Sequence, residues 1–273
     1  MNKEQLQKIV SQDYNLPVGK DEFEAVQEVI SILGSTDPEL RDELGYSVLN
    51  RWLLTKDFLN NKQLEILLDQ AFSEKMLFYK IGESNTDSVF LRSFSSLLIA
   101  LLLIRDNRNE FLHMENYQQV ITKVAAYCEL EKDDRGYIEK KGWAHAPAHI
   151  ADVIDECVKS RYTGIKECEL LMNASLSLIQ NGKEVFTAEE DERISLAVCS
   201  MVEQNKVPIS ILMEWLKKQD AINGRNMVSR NRRINFKHFL RCLYFRLEEK
   251  SLLSDSREDL LTLEKKFNPF HSY

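Results

Sequence analysis

Glycine and proline are scarce, nine and five among 273 residues. With an apolar fraction of 44% and charged residues at 29%, that scarcity excludes a disordered or low-complexity chain and points to a packed globule. Cysteine is sparse too. Cys128, Cys157, Cys168, Cys199 and Cys242 are odd in number, scattered and never in a CxxC pair, which fits neither a disulfide framework nor a zinc finger and reads as reduced core residues of a cytosolic protein. Positive charge is in deficit: 36 Lys and Arg against 43 Asp and Glu give a net charge of −7. That balance argues against nucleic acid or an anionic membrane as a partner of the whole surface, though a local basic face stays open.

Other absences bear on function. The most apolar run, residues 93–104 between Arg92 and Arg105, would span only about 18 Å as a helix, short of a bilayer core, and reads as a buried helix. The opening MNKEQLQKIVSQDY lacks the charged-then-apolar pattern of a secretory signal, so the expected location is cytoplasmic. There is no Gly-rich phosphate loop, GxSxG elbow or HExxH, so the commonest enzyme classes find no support. Cys157, flanked by Glu156 and Val158, lacks the electropositive setting of a cysteine nucleophile.

What the chain does have is helical periodicity in nearly every window. Apolar residues recur at three and four over residues 3–12, 21–33, 40–53, 61–74, 88–104, 114–130, 163–180, 187–203, 207–218, 232–249 and 255–267. Asp21 and the run Ser35-Thr36-Asp37-Pro38 read as N-terminal caps, and Gly34, Asn181-Gly182 and Asn223-Gly224 as stops. Thr187 to Glu190 has capping-box spacing. Strand alternation is almost wholly missing. Helix–turn–helix units of about 35 to 45 residues recur without a strict period, which predicts an all-α, HEAT-like alpha-alpha superhelix of irregular hairpins, one domain over residues 1–273. Arg92, inside the buried helix, must find a carboxylate or reach a surface.

Polar chemistry gathers in DDRGYIEKKGWAHAPAHIADVID, residues 133–155. His149, Asp152 and Glu156 share a helical face. Pro147 fits the first turn of a helix, so either a helix begins near His145 or a longer one kinks there. Two readings stand. His145, His149 and Asp152 are the right donors for a divalent metal, with further ligands from Asp133, Asp134, Glu139, Glu190 or Glu192; Asp134 or Glu139 would then be the general base of a metal-dependent hydrolase. Alternatively they are hydrogen-bonded packing residues of a helical scaffold. Trp143 and Tyr137 either wall a pocket or belong to the core, and Arg135 either grips a ligand carboxylate or forms an internal ion pair. On the binding reading, His145, His149, Asp152, Trp143, Arg135 and Tyr137 line a concave groove that receives a protein or a small molecule. Whether the protein is an enzyme is left open by the residues.

A second concentration is residues 225–246, with Arg225, Arg230, Arg232, Arg233, Lys237, His238, Arg241 and Arg246 and no acid. These either hold a phosphate-bearing ligand, nucleic acid or acidic tail, or pair with acids on adjacent repeats.

The string GWAHAPAHIAD (residues 142–152), with Asp134-Arg135-Gly136-Tyr137 upstream, Phe90-Leu91-Arg92-Ser93 earlier and Phe239-Leu240-Arg241 with residues 243–247 later, resembles a bacterial family of unknown function along roughly residues 40–247. The resemblance implies an all-helical, HEAT-like soluble cytoplasmic protein. It implies no activity.

Overall fold

Short polar side chains begin the N-terminal helices by accepting amides that have no intrahelical partner. In the computed structural model, which describes residues 1–220, 224–268 and 270, α1 (Lys3–Ser11) starts on Asn2 and α2 (Glu22–Ile30) on Asp21. Asp37 accepts from the amides of Glu39 and Leu40 and opens α3, residues 39–56, in which π-helical turns (Glu39–Tyr46 and Trp52–Lys56) flank α-helical Ser47–Arg51. Asn60 caps α4 (Asn61–Ala71). Then follow α5 (Ser88–Arg108), α6 (Met114–Leu130), the strands β1 (Tyr137–Ile138) and β2 (Gly142–Trp143), α7 (Ala146–Lys159), α8 (Ile165–Asn181), α9 (Glu190–Glu203), α10 (Ile209–Lys217), α11 (Met227–Glu249) and α12 (Arg257–Phe267).

The helices form an all-α, HEAT-like superhelix of hairpins. α5, α7, α9 and α11 lie side by side as one layer, while α6 and α8 pair with each other and cover α7 and α9 from the second layer. One contiguous apolar cluster runs from Leu6 to Phe267. A small satellite of Val89, Phe90, Ala144 and Ala146, with Ile138 against it, seats the strand pair on the first turn of α5.

α5 is the centre of the core. By length and composition it is long and apolar enough to cross a membrane, yet 83% of its most apolar window is buried inside the protein. Its charges have protein partners: Arg92 with Glu131, Arg105 with Asp57 and Asp106 with Arg161. Of the two outcomes open to Arg92, a surface or a carboxylate, the fold takes the second, with Glu131. Four of the five cysteines are buried and all are free.

Three local expectations are corrected. The antiparallel pair, with Tyr137 opposite Trp143 and Ile138 opposite Gly142, escaped the periodicity because two residues are too few to show alternation. α9 begins at Glu190, not at 187: the preceding segment is tied to α11, whose Asn235 side chain holds the Phe186 amide and the Glu184 carbonyl. Glu189 therefore enters α9 left-handed, at φ 66°, and no capping box forms. α11 begins on Asn226, earlier than its apolar stripe, because that side chain caps Ser229. The proposed stop at Asn223 lies outside the described residues.

Candidate functional site

Ion pairs fix the approach to the strand pair. Arg92 grips Glu131 through Nε (2.6 Å) and Nη2 (2.9 Å), and the Tyr127 hydroxyl donates to the same carboxylate at 2.8 Å. Asp133 accepts from the Asn85 amide (2.9 Å) and pairs with Arg135 at 2.6 Å. Arg135 also donates to the Thr86 carbonyl at 2.7 Å. Asp134 accepts from the amides of Lys183 and Glu184 at 2.5 and 2.9 Å. Each carboxylate is thus committed to pinning residues 131–135 onto α5 and onto the entry to α9.

The hairpin is squeezed at both glycines. A Cβ on Gly136 would lie 2.8 Å from the Ala188 Cβ and 2.9 Å from a Glu190 carboxylate oxygen. Gly142, at φ +76°, would place one 2.7 Å from Pro38. Both positions need glycine for close approach, and Gly142 for its left-handed backbone as well. Beneath Gly142 lies Arg41, fully buried, donating to the carbonyls of Ser35 (2.6 Å), Lys141 (2.8 Å) and Trp143 (3.3 Å). Its guanidinium lies over the rings of Phe90 and Phe94, 4.2 and 4.7 Å from their centroids. It has no carboxylate partner among the described residues; carbonyl oxygens and ring faces balance its charge instead. Burial lowers its pKa to about 10, so it stays a cation at neutral pH.

His145 is the left-handed residue, φ 49°, from which α7 starts, with Pro147 in the first turn. The helix therefore begins at the histidine and does not run through it. Its Nε2 lies 2.7 Å from the Ala188 carbonyl, which can only accept, so that nitrogen carries the proton. Glu190 Oε1 is 3.5 Å away. The His149 Nδ1 meets Ser93 Oγ at 2.7 Å. Burial pulls the pKa of both histidines down, and for His149 the neighbouring His145, Arg193 and Arg41 add to the effect; both are neutral imidazoles at neutral pH. Asp152 forms a two-pronged pair with Arg193, at 2.8 and 2.5 Å. Burial raises its pKa against the opposing pull of that guanidinium.

Rings then stack outward in sequence. Phe94 meets His149 at 5.4 Å, His149 meets His145 at 5.3 Å, Trp143 stacks on His145 at 4.9 Å, and Tyr137 packs edge-on against Trp143 at 5.1 Å. The ladder ends in solvent, with Tyr137 62% and Trp143 39% exposed.

The expected metal set of His145, His149 and Asp152 does not form. Each has a protein partner: the Ala188 carbonyl at His145 Nε2, Ser93 at His149 Nδ1 and Arg193 at both Asp152 oxygens. Among the described residues no group of three or more His, Cys, Asp or Glu side chains could hold a metal. Of the candidate remote ligands, Asp133 pairs with Arg135 and Glu192 with Arg246, Glu139 is exposed at the hairpin turn, and Glu190 stays beside His145. Asp134, one of the two general bases considered, caps backbone amides. The Ser93–His149 contact does not make a nucleophile open to substrate, since Ser93 is fully buried. Of the six residues expected at a groove, the structure brings all but Arg135 into one neighbourhood and leaves only Trp143 and Tyr137 largely open.

Arg41, Ser93 and Arg193 were missed. Arg41 had a signal, a charge inside an otherwise apolar helical stripe, as did Ser93 beside Arg92; Arg193 had none. In the basic segment, Arg246 pairs with Glu192 at 2.6 Å, Arg241 with Glu264 at 2.7 Å, and Arg232 donates to the Gly182 carbonyl at 3.1 Å.

Fold and site together define an α-helical repeat protein that carries one braced, aromatic-tipped hairpin. The chain belongs to the family described as protein of unknown function (DUF2785), whose model matches residues 77–245. That span includes Arg92, the hairpin, both histidines and most of α11. No curated protein and no solved structure matches the chain.

Proposed function

We propose that the protein is a helical-repeat scaffold that binds another protein, with Tyr137 and Trp143 as the anchor of the contact. His145, His149, Asp152 and Arg135 are the framework that holds the anchor in place. One observation carries this reading: two large rings stand exposed, packed edge to face, on backbone fixed from below by Arg41. Tryptophan and tyrosine carry much of the energy of protein interfaces. A preorganised anchor also loses little conformational freedom on association. Rings that stand out of a surface suit a partner with its own pocket, whereas a small ligand would need rings that enclose it. Glu139 and Lys140 at the turn, with Lys141 paired to Asp87 at 2.7 Å, supply the polar rim such interfaces have.

The test is a photo-crosslinking side chain placed at the exposed Glu139 of the same hairpin turn in cells expressing the protein, with and without Trp143→Ala. The expected result is one dominant crosslinked species, lost in the Trp143 variant while the melting temperature moves by no more than about 2–4 °C. No discrete species, or one that survives Trp143→Ala, rejects the reading.

A further inference from the structure

Four cations of the basic segment have no ion pair with any described carboxylate: Arg225, Arg230, Arg233 and Lys237. They converge on one open cavity of about 430 Å³, completed by Gly224, Ile234, Phe267 and Phe270. Arg230, Arg233 and Lys237 fall at i, i+3 and i+7 along α11, and so on one face, while Arg225 reaches in from the preceding turn. Glu264, whose charge acts on Lys237, is already paired with Arg241. Like charges at this spacing repel one another. A protein with a surplus of acids had every means to neutralise them, as it does for Arg246 and Arg241. Phe267 is buried and Phe270 is 71% exposed, so the cavity lining combines aromatic rings with the cations.

We propose that this cavity binds a nucleoside diphosphate or triphosphate, with its phosphates held by Arg225, Arg230, Arg233 and Lys237 and its base against Phe270. Guanidinium forks match phosphate oxygens geometrically, three to four cations match the charge of a di- or triphosphate, and the volume lies in the range of small-molecule sites. The exposed Phe270 ring is what distinguishes a nucleotide from bare phosphate, because a base can stack where an inorganic anion cannot. The site is separate from the hairpin and independent of its role.

Calorimetric titration of the full chain with ATP, ADP, adenosine and inorganic tripolyphosphate, each at two salt concentrations, tests the proposal. ATP and ADP are expected to bind saturably at one site, tripolyphosphate about tenfold more weakly for want of a stacked base, and adenosine not measurably. Arg233→Glu with Lys237→Glu should abolish binding without unfolding the protein, as far-ultraviolet dichroism would verify. The single Phe270→Ala variant, at an exposed position that folding does not need, should bring ATP down to the affinity of tripolyphosphate. Trp143→Ala should leave binding intact. The proposal is overturned by absent nucleotide binding, by equal affinity for ATP and tripolyphosphate in the wild type, or by ATP binding that survives the charge reversal. Binding of a labelled oligonucleotide where ATP fails would also overturn it and assign the cations to a nucleic-acid surface.

Discussion

Residues 133–155 and residues 225–246 both concentrate ionisable side chains, and the fold treats them in opposite ways. In the first, the histidines and nearly every acid are answered by a protein partner: Asp133 by Arg135, Asp134 by two amides, His145 by a carbonyl, His149 by Ser93, Asp152 by Arg193. In the second, Arg246 and Arg241 are answered, by Glu192 and Glu264, and Arg225, Arg230, Arg233 and Lys237 have no ion pair with a described carboxylate. A density of reactive residue types therefore says little about a site. What remains unanswered after folding says more.

The contrast breaks most readily at the buried ion pair that leads into the first region. Replacing Arg92 with Ala strands Glu131, which is 3% exposed, beside Tyr127, and chemical denaturation should register a loss of about 3–5 kcal/mol. A loss under about 1 kcal/mol would mean that water reaches Glu131 and that the first region is less sealed than described.

Next in size is the dependence on pH. His145 and His149 have folded pKa values below the ordinary 6.5, so the unfolded chain takes up their protons first as the solution is acidified. Their contribution to stability is complete above pH 6.5 and is lost as pH falls below it toward the folded values, at up to about 1.4 kcal/mol per pH unit for each histidine. The raised carboxyls of Asp152 and Glu190 act in the opposite sense, from their raised values down to their ordinary 3.8 and 4.5, so the histidine slope is clearest just below pH 6.5. Thermal melts across this window should show a shallower slope for His149→Gln than for the wild type. An equal slope removes His149 from the sealed set.

Smaller still is the partly exposed Asp152–Arg193 pair. Asp152→Asn should cost roughly 0.2–1 kcal/mol in denaturant unfolding; a much larger loss would place it among the sealed groups. At the bottom of the scale, Arg230→Gln with Arg233→Gln should leave stability unchanged or raise it by a few tenths of a kcal/mol, since it relieves like-charge repulsion on α11. A clear destabilisation would reveal structural partners for these two arginines.

Much of the architecture was legible in the chain. The caps at Asp21 and Asp37, the span of α6, the burial of α5 and the need for Arg92 to find either a carboxylate or a surface all follow from local chemistry and period. The strand pair was not legible, because its four residues are held by Arg41, a hundred residues upstream of Lys141, and by glycines whose close contacts exist only in three dimensions. The same holds for the site. Sequence spacing rightly gathered His145, His149, Asp152 and Trp143 but could not tell imidazoles facing a cation from imidazoles facing Ala188 and Ser93. Nor could it separate the four cations lining a cavity from the two that pair on α9 and α12.

Arg41 has a practical consequence for anyone cutting the gene. It lies upstream of the matched span, as does its tether at Ser35, and from the other end Phe267 packs on Phe236 at 4.6 Å. A fragment trimmed to residues 77–245 would expose the faces of Phe90 and Phe94 and leave the Lys141 and Trp143 carbonyls without a donor. The boundaries drawn by similarity thus cut through these contacts, and deletion series should keep α3 and α12 attached.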